Sequence, residues 1–524
     1  MEVLGDLIGG LGVAMRPENF LLLFVGVVLG LVIGILPGLG GTSGVAILLP
    51  ITVFIAAGNK VGAVELLAGL YWGALFGGVV TSILFNIPGE PWSVALLFDG
   101  YPLAKRKGRP GLALTSAFIA ALLGSVLAAV LFTFFALPLA EKALEFGPPE
   151  LLAVYLMAFA TLVGLESSSP LKSIMMIGVG LVLASVGFDT LTGAPRLNYG
   201  QLWLLSGITF VPVTIGLFGI GEVLAAAEEQ GTGQLDRISA KLGLSDFFES
   251  LRALRQRIWI TLVNALIGFW IGVLPGTGAT PASFLSYGIA RQYSKNKEEF
   301  GKGEISGIMS PQASANAAGV GSLLPMITLG VPGSPTAAVI MAGLFQWGLT
   351  PSALLFVEQK DFVWGLIGGI YIGSLLAFVL CVLAAPYLAM IMRIPYAVIT
   401  PFIIMISIVG SYTLNTSMTD VFITIIFGLI GYWLRKMKYP LAPLVVAIVL
   451  GDATEKAMRQ SLIASGGSPL IFFFRQDSST GQYTEFNALA STLMLIAIAL
   501  FLLPLAQWLL RRRRRRDGSS APAA

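Results

Sequence analysis

Apolar residues collect along this chain in blocks long enough to cross a bilayer. The first runs from about 19 to 35, and others follow near 62–86, 111–138, 150–165, 172–188 and 200–226. A polar interval from Glu228 to Gln256 divides the chain. Beyond it lie blocks near 257–274, 276–290, 306–330, 361–392, 396–410, 418–434, 440–451 and 485–510. A stretch of about 17 or more apolar residues spans the hydrocarbon core as a helix, and the shorter blocks are interrupted by Gly and Pro. The pattern predicts an all-α polytopic membrane protein with about 11–15 hydrophobic segments. Its expected divisions are an N-terminal segment (1–17), a first transmembrane repeat (18–227), a polar connecting segment (228–256), a second repeat with an added C-terminal helix (257–510) and a basic tail (511–524).

Composition agrees and removes several classes of chemistry. The 524 residues are 56% hydrophobic and 11% charged, whereas a soluble domain carries about 25% charged residues. There is no histidine, which excludes a His-ligated metal, a Ser/His or Cys/His nucleophile pair and a histidine proton relay. The one cysteine, Cys381, lies in an apolar run and reads as core filler. Residues Met1 to Arg16 include Glu2 and Asp6 and lack a basic leader before the apolar stretch, so no cleaved secretory signal is expected. Of the 32 basic residues, six form the run Arg511 to Arg516. That tail is expected in the cytoplasm beside anionic membrane lipid, and no nucleic-acid partner is implied.

Two Gly/Pro elements recur in order. Gly34-Ile35-Leu36-Pro37-Gly38-Leu39-Gly40 returns 238 residues later as Gly272-Val273-Leu274-Pro275-Gly276-Thr277-Gly278. Asn86-Ile87-Pro88-Gly89-Glu90 is answered 244 residues later by Gly330-Val331-Pro332-Gly333-Ser334. Paired order at nearly one offset suggests an internal duplication. The charges alternate between copies. In the first half the basic loop follows the second element (Lys105, Arg106, Lys107, Arg109), and in the second half it follows the first (Arg291, Lys295, Lys297, Lys302). Because cytoplasmic loops collect Lys and Arg, equivalent loops are expected on opposite sides, giving two inverted-topology repeats with discontinuous helices.

Broken helices survive in a membrane only inside protein or against a water-filled cavity. Where a helix restarts, its free N–H groups favour an anion, and carbonyls left by the preceding half-helix favour a cation. The expected substrate-binding residues are therefore Gly38, Gly40, Gly41, Thr42 and Ser43 with Asn86, Pro88 and Gly89 in the first half. Gly276, Thr277, Gly278 and Thr280 with Pro332, Gly333 and Ser334 answer them in the second. Intramembrane carboxylates can couple a cation. Glu90 and Asp189 head a group that also includes Asp99, Glu222, Asp420, Asp452 and Glu455, with Asp99 and Arg106 flanking a loop expected to position the helix hairpin.

The runs Gly34 to Pro50 (GILPGLGGTSGVAILLP), Thr81 to Leu103, Leu217 to Glu222 (LFGIGE) and Leu324 to Gly333 (LPMITLGVPG) resemble the TctA-type large permease subunit of the tripartite tricarboxylate transporter family. The resemblance covers about residues 15–475 and extends to Gly187-Phe188-Asp189 with Gly193 and Arg196, Gly431-Tyr432 with Arg435 and Lys436, and Leu450-Gly451 with Glu455. It implies a bacterial inner-membrane permease, with its C-terminus cytoplasmic, that works with a periplasmic solute-binding protein and a small TctB-like membrane subunit. It also implies di- or tricarboxylate or related organic-acid substrates, with Na+ or H+ as the coupling ion and no other cofactor. Two departures stand out. The family's stretch close to P-E-x-x-N-N-A is here Pro311-Gln312-Ala313-Ser314-Ala315-Asn316-Ala317, and its G-x-x-P-G-P-L-L-F is Gly348 to Phe356 with Ser352 and Ala353. Gln312, Ser314 and Asn316 stay as polar site-lining candidates.

No G-x-x-x-x-G-K-[ST] loop is present, so the chain itself does not hydrolyse nucleotide through a P-loop. The expectation is a transporter and not an enzyme. A binding-protein-independent organic-anion transporter or channel stands as the alternative, and an intramembrane lipid-modifying enzyme ranks below both.

Overall fold

Glycine at every fourth position lets the first two long helices touch backbone to backbone. On Pro17–Ile35 (α2), a Cβ added to Gly26, Gly30 or Gly34 would lie 2.3, 2.1 or 2.4 Å from the carbonyl oxygens of Leu66, Leu70 and Ala74 on Lys60–Phe85 (α4). Gly69, Gly73 and Gly77 of α4 return the contact against Leu23, Val27 and Leu31. Both numberings rise together, so α2 and α4 run parallel, joined by the small-residue packing on which membrane helices rely. Between them Gly41–Ala56 (α3) runs the other way, since Gly41 meets Ala74 and Gly44 meets Leu70. Thus α2 and α3 form a helical hairpin whose flanks at Gly34 and Gly41 both meet Ala74 in the middle of α4. Glu2–Ala14 (α1) precedes it.

The second half repeats this construction. Gly268 and Gly272 of the Leu244–Val273 helix press on the carbonyls of Ser314 and Ala318 in Ser306–Gly321, at 2.3 and 2.2 Å from their Cβ positions. The Ala279–Tyr293 helix returns antiparallel, and Ser314 Oγ donates to Ala282 O at 3.0 Å.

The computed structural model describes residues 2–36, 38–165, 169–189, 191–229, 242–391, 396–476 and 483–516. Residues 230–241 of the expected connecting segment and Pro37 fall outside these residues, as do 517–524 of the tail. Among the described residues nine helices are long and apolar enough to cross a membrane, and five shorter apolar helices accompany them. The chain is an all-α multi-pass membrane protein.

These helices form two compact units. The first comprises Met1–Ala143 and Val211–Lys436, and the second Leu144–Phe210 and Met437–Ala524. In the first unit a π-helical turn, Ile215–Gly221, widens one helix where Gly216 meets the Thr424 carbonyl and Gly221 meets Gly428. In the second, Pro170–Ala184 packs on Ala442–Ala464, with the Cβ position of Gly180 2.6 Å from Leu444 O. Two short strand pairs, Gly187–Phe188 with Pro195–Arg196 and Phe474–Gln476 with Tyr483–Phe486, are the only sheet among the described residues.

Several boundaries differ from the hydropathy pattern. The helix expected near 257 begins at Leu244, because Asp246 Oδ2 accepts the Gly243 N–H at 3.2 Å. Its polar face is then paired: Arg109 reaches Asp246 at 3.3 Å and Glu249 at 2.7 Å, and Thr115 bonds Ser250 at 2.7 Å. The α3 helix and Pro335–Gln346 are absent from the hydropathy blocks because Gly, Ser, Thr and Pro at their starts dilute the apolar signal.

Candidate functional site: two hairpin tips and two Pro-Gly breaks

Each hairpin tip is met by a second interruption in the helix it packs against. Helix α4 ends where Asn86 turns left-handed (φ 58°) and the Ile87 N–H reaches back to Thr81 O at 3.4 Å. Its counterpart ends where Gly330 does the same (φ 68°) and Val331 N–H reaches Pro325 O at 3.2 Å. The next glycine then lies on the hairpin. A Cβ on Gly89 would be 2.6 Å from Gly34 O, and one on Gly333 would be 2.3 Å from Gly272 O. Only glycine fits either place without moving backbone. Gly38 (φ 81°) and Gly276 (φ 76°) turn the two tips through conformations that L side chains disfavour.

The tips differ in how they are closed. In the first, Glu90 Oε1 accepts the Gly41 N–H at 2.5 Å, at the start of α3, and Oε2 accepts Trp92 Nε1 at 3.2 Å. In the second, Gly276 N–H donates to Pro332 O at 3.1 Å and Gly278 N–H to Gly333 O at 2.9 Å. Ser334, which stands where Glu90 stands, pairs with Ser322 Oγ at 3.0 Å and caps the next helix by accepting Ala337 N–H at 3.1 Å. Thr277 Oγ1 donates to Leu274 O at 2.9 Å.

The two halves meet here. Thr42 and Thr336 hydroxyls are 2.7 Å apart, and Ser283 Oγ donates to Trp92 O at 2.9 Å. The Tyr71 ring lies 3.2 Å from the Cβ position of Gly41, which is also 3.3 Å from Glu90 Oε1. A carboxylate, the hydroxyls of Thr42, Ser322, Ser334 and Thr336, and restarted helices therefore share one cluster. Such a set can hold an anion on N–H and O–H donors and a cation on the carboxylate and carbonyl oxygens.

The cluster takes in Gly40, Gly41, Thr42, Gly89, Glu90, Gly276, Thr277, Gly278, Gly333 and Ser334. Ser43 is buried in the first turn of α3, Thr280 is half-buried in its counterpart, Pro332 lends its carbonyl and Pro88 is half-buried at its break. Asn86 ends α4 with its side chain exposed. Three polar candidates go elsewhere: Gln312 Nε2 reaches Leu75 O at 3.5 Å, Ser314 bonds Ala282, and Asn316 Oδ1 accepts Ser125 Oγ at 3.4 Å. Asp189 belongs to the second unit, where Arg459 bonds it at 2.7 Å and Leu191 N–H at 2.8 Å. The Arg459 guanidinium holds its carboxyl well below the usual carboxylate range. Asp99 instead fixes the loop after Ala279–Tyr293: it accepts Gly301, Gly303 and Glu304 N–H groups at 2.9, 2.8 and 2.8 Å and the Tyr287 hydroxyl at 2.9 Å.

Two groups, one at the first tip and one in the opposite end of α4, had no place among the expected site residues. Arg435, ion-paired with Glu222, brings a nitrogen to 3.8 Å from the Cβ position of Gly38. Glu65 is wholly buried in α4 against Gly369, and neither carboxyl oxygen has a hydrogen-bond partner. Its signal was a lone acid inside an apolar block.

Residues 20–446 match the family described as tripartite tricarboxylate transporter TctA. The chain belongs to the TctA family. An Agrobacterium vitis protein described as an uncharacterized 52.8 kDa protein in the TAR-I ttuC' 3' region is 36% identical over 472 residues, covering 90% of this chain and 92% of its own. A second A. vitis protein, from the TAR-II ttuC' 3' region, is 36% identical over 205 residues, 39% of this chain and 85% of its own. No solved structure matches. TctA is a family of tripartite tricarboxylate transporter proteins, so the two tips lie in a member of a transporter family.

Proposed function

We propose that this chain is the large permease subunit of a binding-protein-dependent secondary transporter. It imports di- or tricarboxylates or related organic anions across the bacterial inner membrane, driven by a Na+ or H+ gradient, with a periplasmic solute-binding protein and a small TctB-like subunit as partners. The observation that carries the reading is the meeting of the first hairpin tip with the second Pro-Gly break through Thr42 and Thr336, with one carboxylate, Glu90, on only one side. A multiply charged anion is too costly to move through hydrocarbon without donors or a counter-ion along its route.

The asymmetry suggests a division of labour. Glu90 already supplies an anion to the start of α3, so the first tip takes the coupling cation. The second tip carries no acidic side chain, and its hydroxyls and restarted helix take the substrate carboxylates. The duplicated contacts support two inverted repeats that rock against each other to alternate access. The test is uptake into proteoliposomes holding the permease and small subunit, with loaded binding protein outside and one ion gradient imposed at a time. Accumulation should require one cation gradient, and accumulation that persists with every gradient collapsed overturns the reading.

A further inference from the structure

Away from the tips, the first unit carries a cavity of ≈ 890 Å³ between the Leu244–Val273 helix and the end of Ala279–Tyr293. Its two ends differ in chemistry. One wall is apolar, made by Ile260, Val263, Ile267 and Ile289. The mouth is polar and holds Arg257, Lys295, Glu304 and Ser306. Arg257 is engaged there, with Nη2 2.9 Å from Glu304 Oε1 and Nε 2.9 Å from Ser306 Oγ. Lys295 is exposed and has no carboxylate partner among the described residues. The mouth therefore carries two cations against one carboxylate. Trp259, 79% exposed beside the groove, suits the boundary between headgroups and acyl chains.

We propose that this groove binds an anionic phospholipid. Its phosphate sits at Lys295 and the Arg257 edge, and an acyl chain lies along Ile260, Val263 and Ile267. The pairing of a net positive mouth with an apolar floor in one cavity selects this occupant. A free anion would leave the apolar wall wet, and an uncharged hydrophobic surface would leave Lys295 facing nothing. The loop that supplies Lys295 also holds Arg291, Lys297 and Lys302 against Glu298, Glu299 and Glu304, so it stays net positive beside an anionic leaflet.

The test uses the full chain purified in detergent, with dioleoylphosphatidylglycerol or dioleoylphosphatidylcholine added, read by native mass spectrometry and by the thermal midpoint. Phosphatidylglycerol should be retained and raise the midpoint, and phosphatidylcholine should do neither. Lys295→Gln should weaken retention about five-fold, the worth of one lysine near an anionic lipid surface. Val263→Trp, which fills the apolar floor, should weaken it as well. Lys295 is exposed, so its variant should fold normally. Equal retention of the two lipids, or both variants binding like the parent, overturns the proposal. So does displacement of the lipid by inorganic phosphate at millimolar concentration.

Discussion

The two hairpin tips share their frame and differ in their closure. At the first, the group that reaches back from the Pro-Gly break is the Glu90 carboxylate, which takes the Gly41 N–H. At the second, backbone carbonyls of Pro332 and Gly333 do that work, and Ser334 turns away to cap its own helix. Identical backbone geometry thus serves two electrostatic purposes. A tip closed by peptide carbonyls is neutral and held in place by geometry alone. A tip closed by a carboxylate carries a full charge that a cation can match or a proton can remove, so its closure responds to what binds there.

Breaking the shared frame should have the largest effect. Gly333→Ala places a Cβ 2.3 Å from Gly272 O and 2.6 Å from Ser322 Cα, both backbone atoms that cannot yield. Overpacking of this kind costs about 1–3 kcal/mol or more, and uptake should vanish together with a fall in the detergent melting midpoint. Gly58→Ala, where a Cβ meets nothing within 4 Å, is the control and should leave both unchanged. Equal behaviour of the two variants would refute the close-approach account.

The next effect separates the tips. Glu90→Gln keeps an acceptor for Gly41 and removes the charge. Hydrogen bonds to charged groups are worth about 1.5–3 kcal/mol, so transport should fall by about 10- to 100-fold while melting changes little. Dependence on the driving cation should be lost. Ser334→Ala at the matching position should instead act on stability, costing about 1 kcal/mol for the lost cap, with the cation dependence intact. A Glu90→Gln protein that keeps its full ion dependence would erase the distinction between the tips.

How much of this was legible in the sequence follows from what each feature demands locally. The tips were readable because a left-handed turn and a backbone close approach each require glycine, and those requirements recur in Gly38, Gly89, Gly276 and Gly333. Glu90 was readable as an acid beside a break. The different closures were not, since nothing in NIPGE or GVPGS states that Glu90 bends toward Gly41 while Ser334 bends toward Ala337. Gln312, Ser314 and Asn316 lie on a wholly buried helix, where periodicity does not reveal which face meets a site. Arg435 stands nearly 400 residues from Gly38, and only folding brings them together.

The smallest effect contrasts a tip closed by peptide carbonyls with carboxylates closed by guanidinium. In the second unit Arg196 grips Glu455 at 2.7 and 3.1 Å, and Arg459 bonds Asp189 at 2.7 Å, tying the 187–196 strand pair to the Ala442–Ala464 helix. Asp189 is held below its ordinary range first by Arg459, and Glu455 first by Arg196. A depressed folded value means the stability these pairs add is fully present above the ordinary carboxylate range and is lost as pH falls through the depressed value. Between pH 7 and about pH 3, near the ordinary carboxylate range, amide exchange in 187–196 should begin to accelerate, with most of the loss below that. Asp189→Asn should already exchange faster at pH 7 and respond less to acid. The Gly276 and Gly278 amides, bonded to peptide carbonyls with no titratable partner, should keep their protection across the same range once the intrinsic pH dependence of exchange is divided out. Acid-induced loss of protection at Gly276 equal to that in 187–196 would mean that the second tip is not closed by backbone alone.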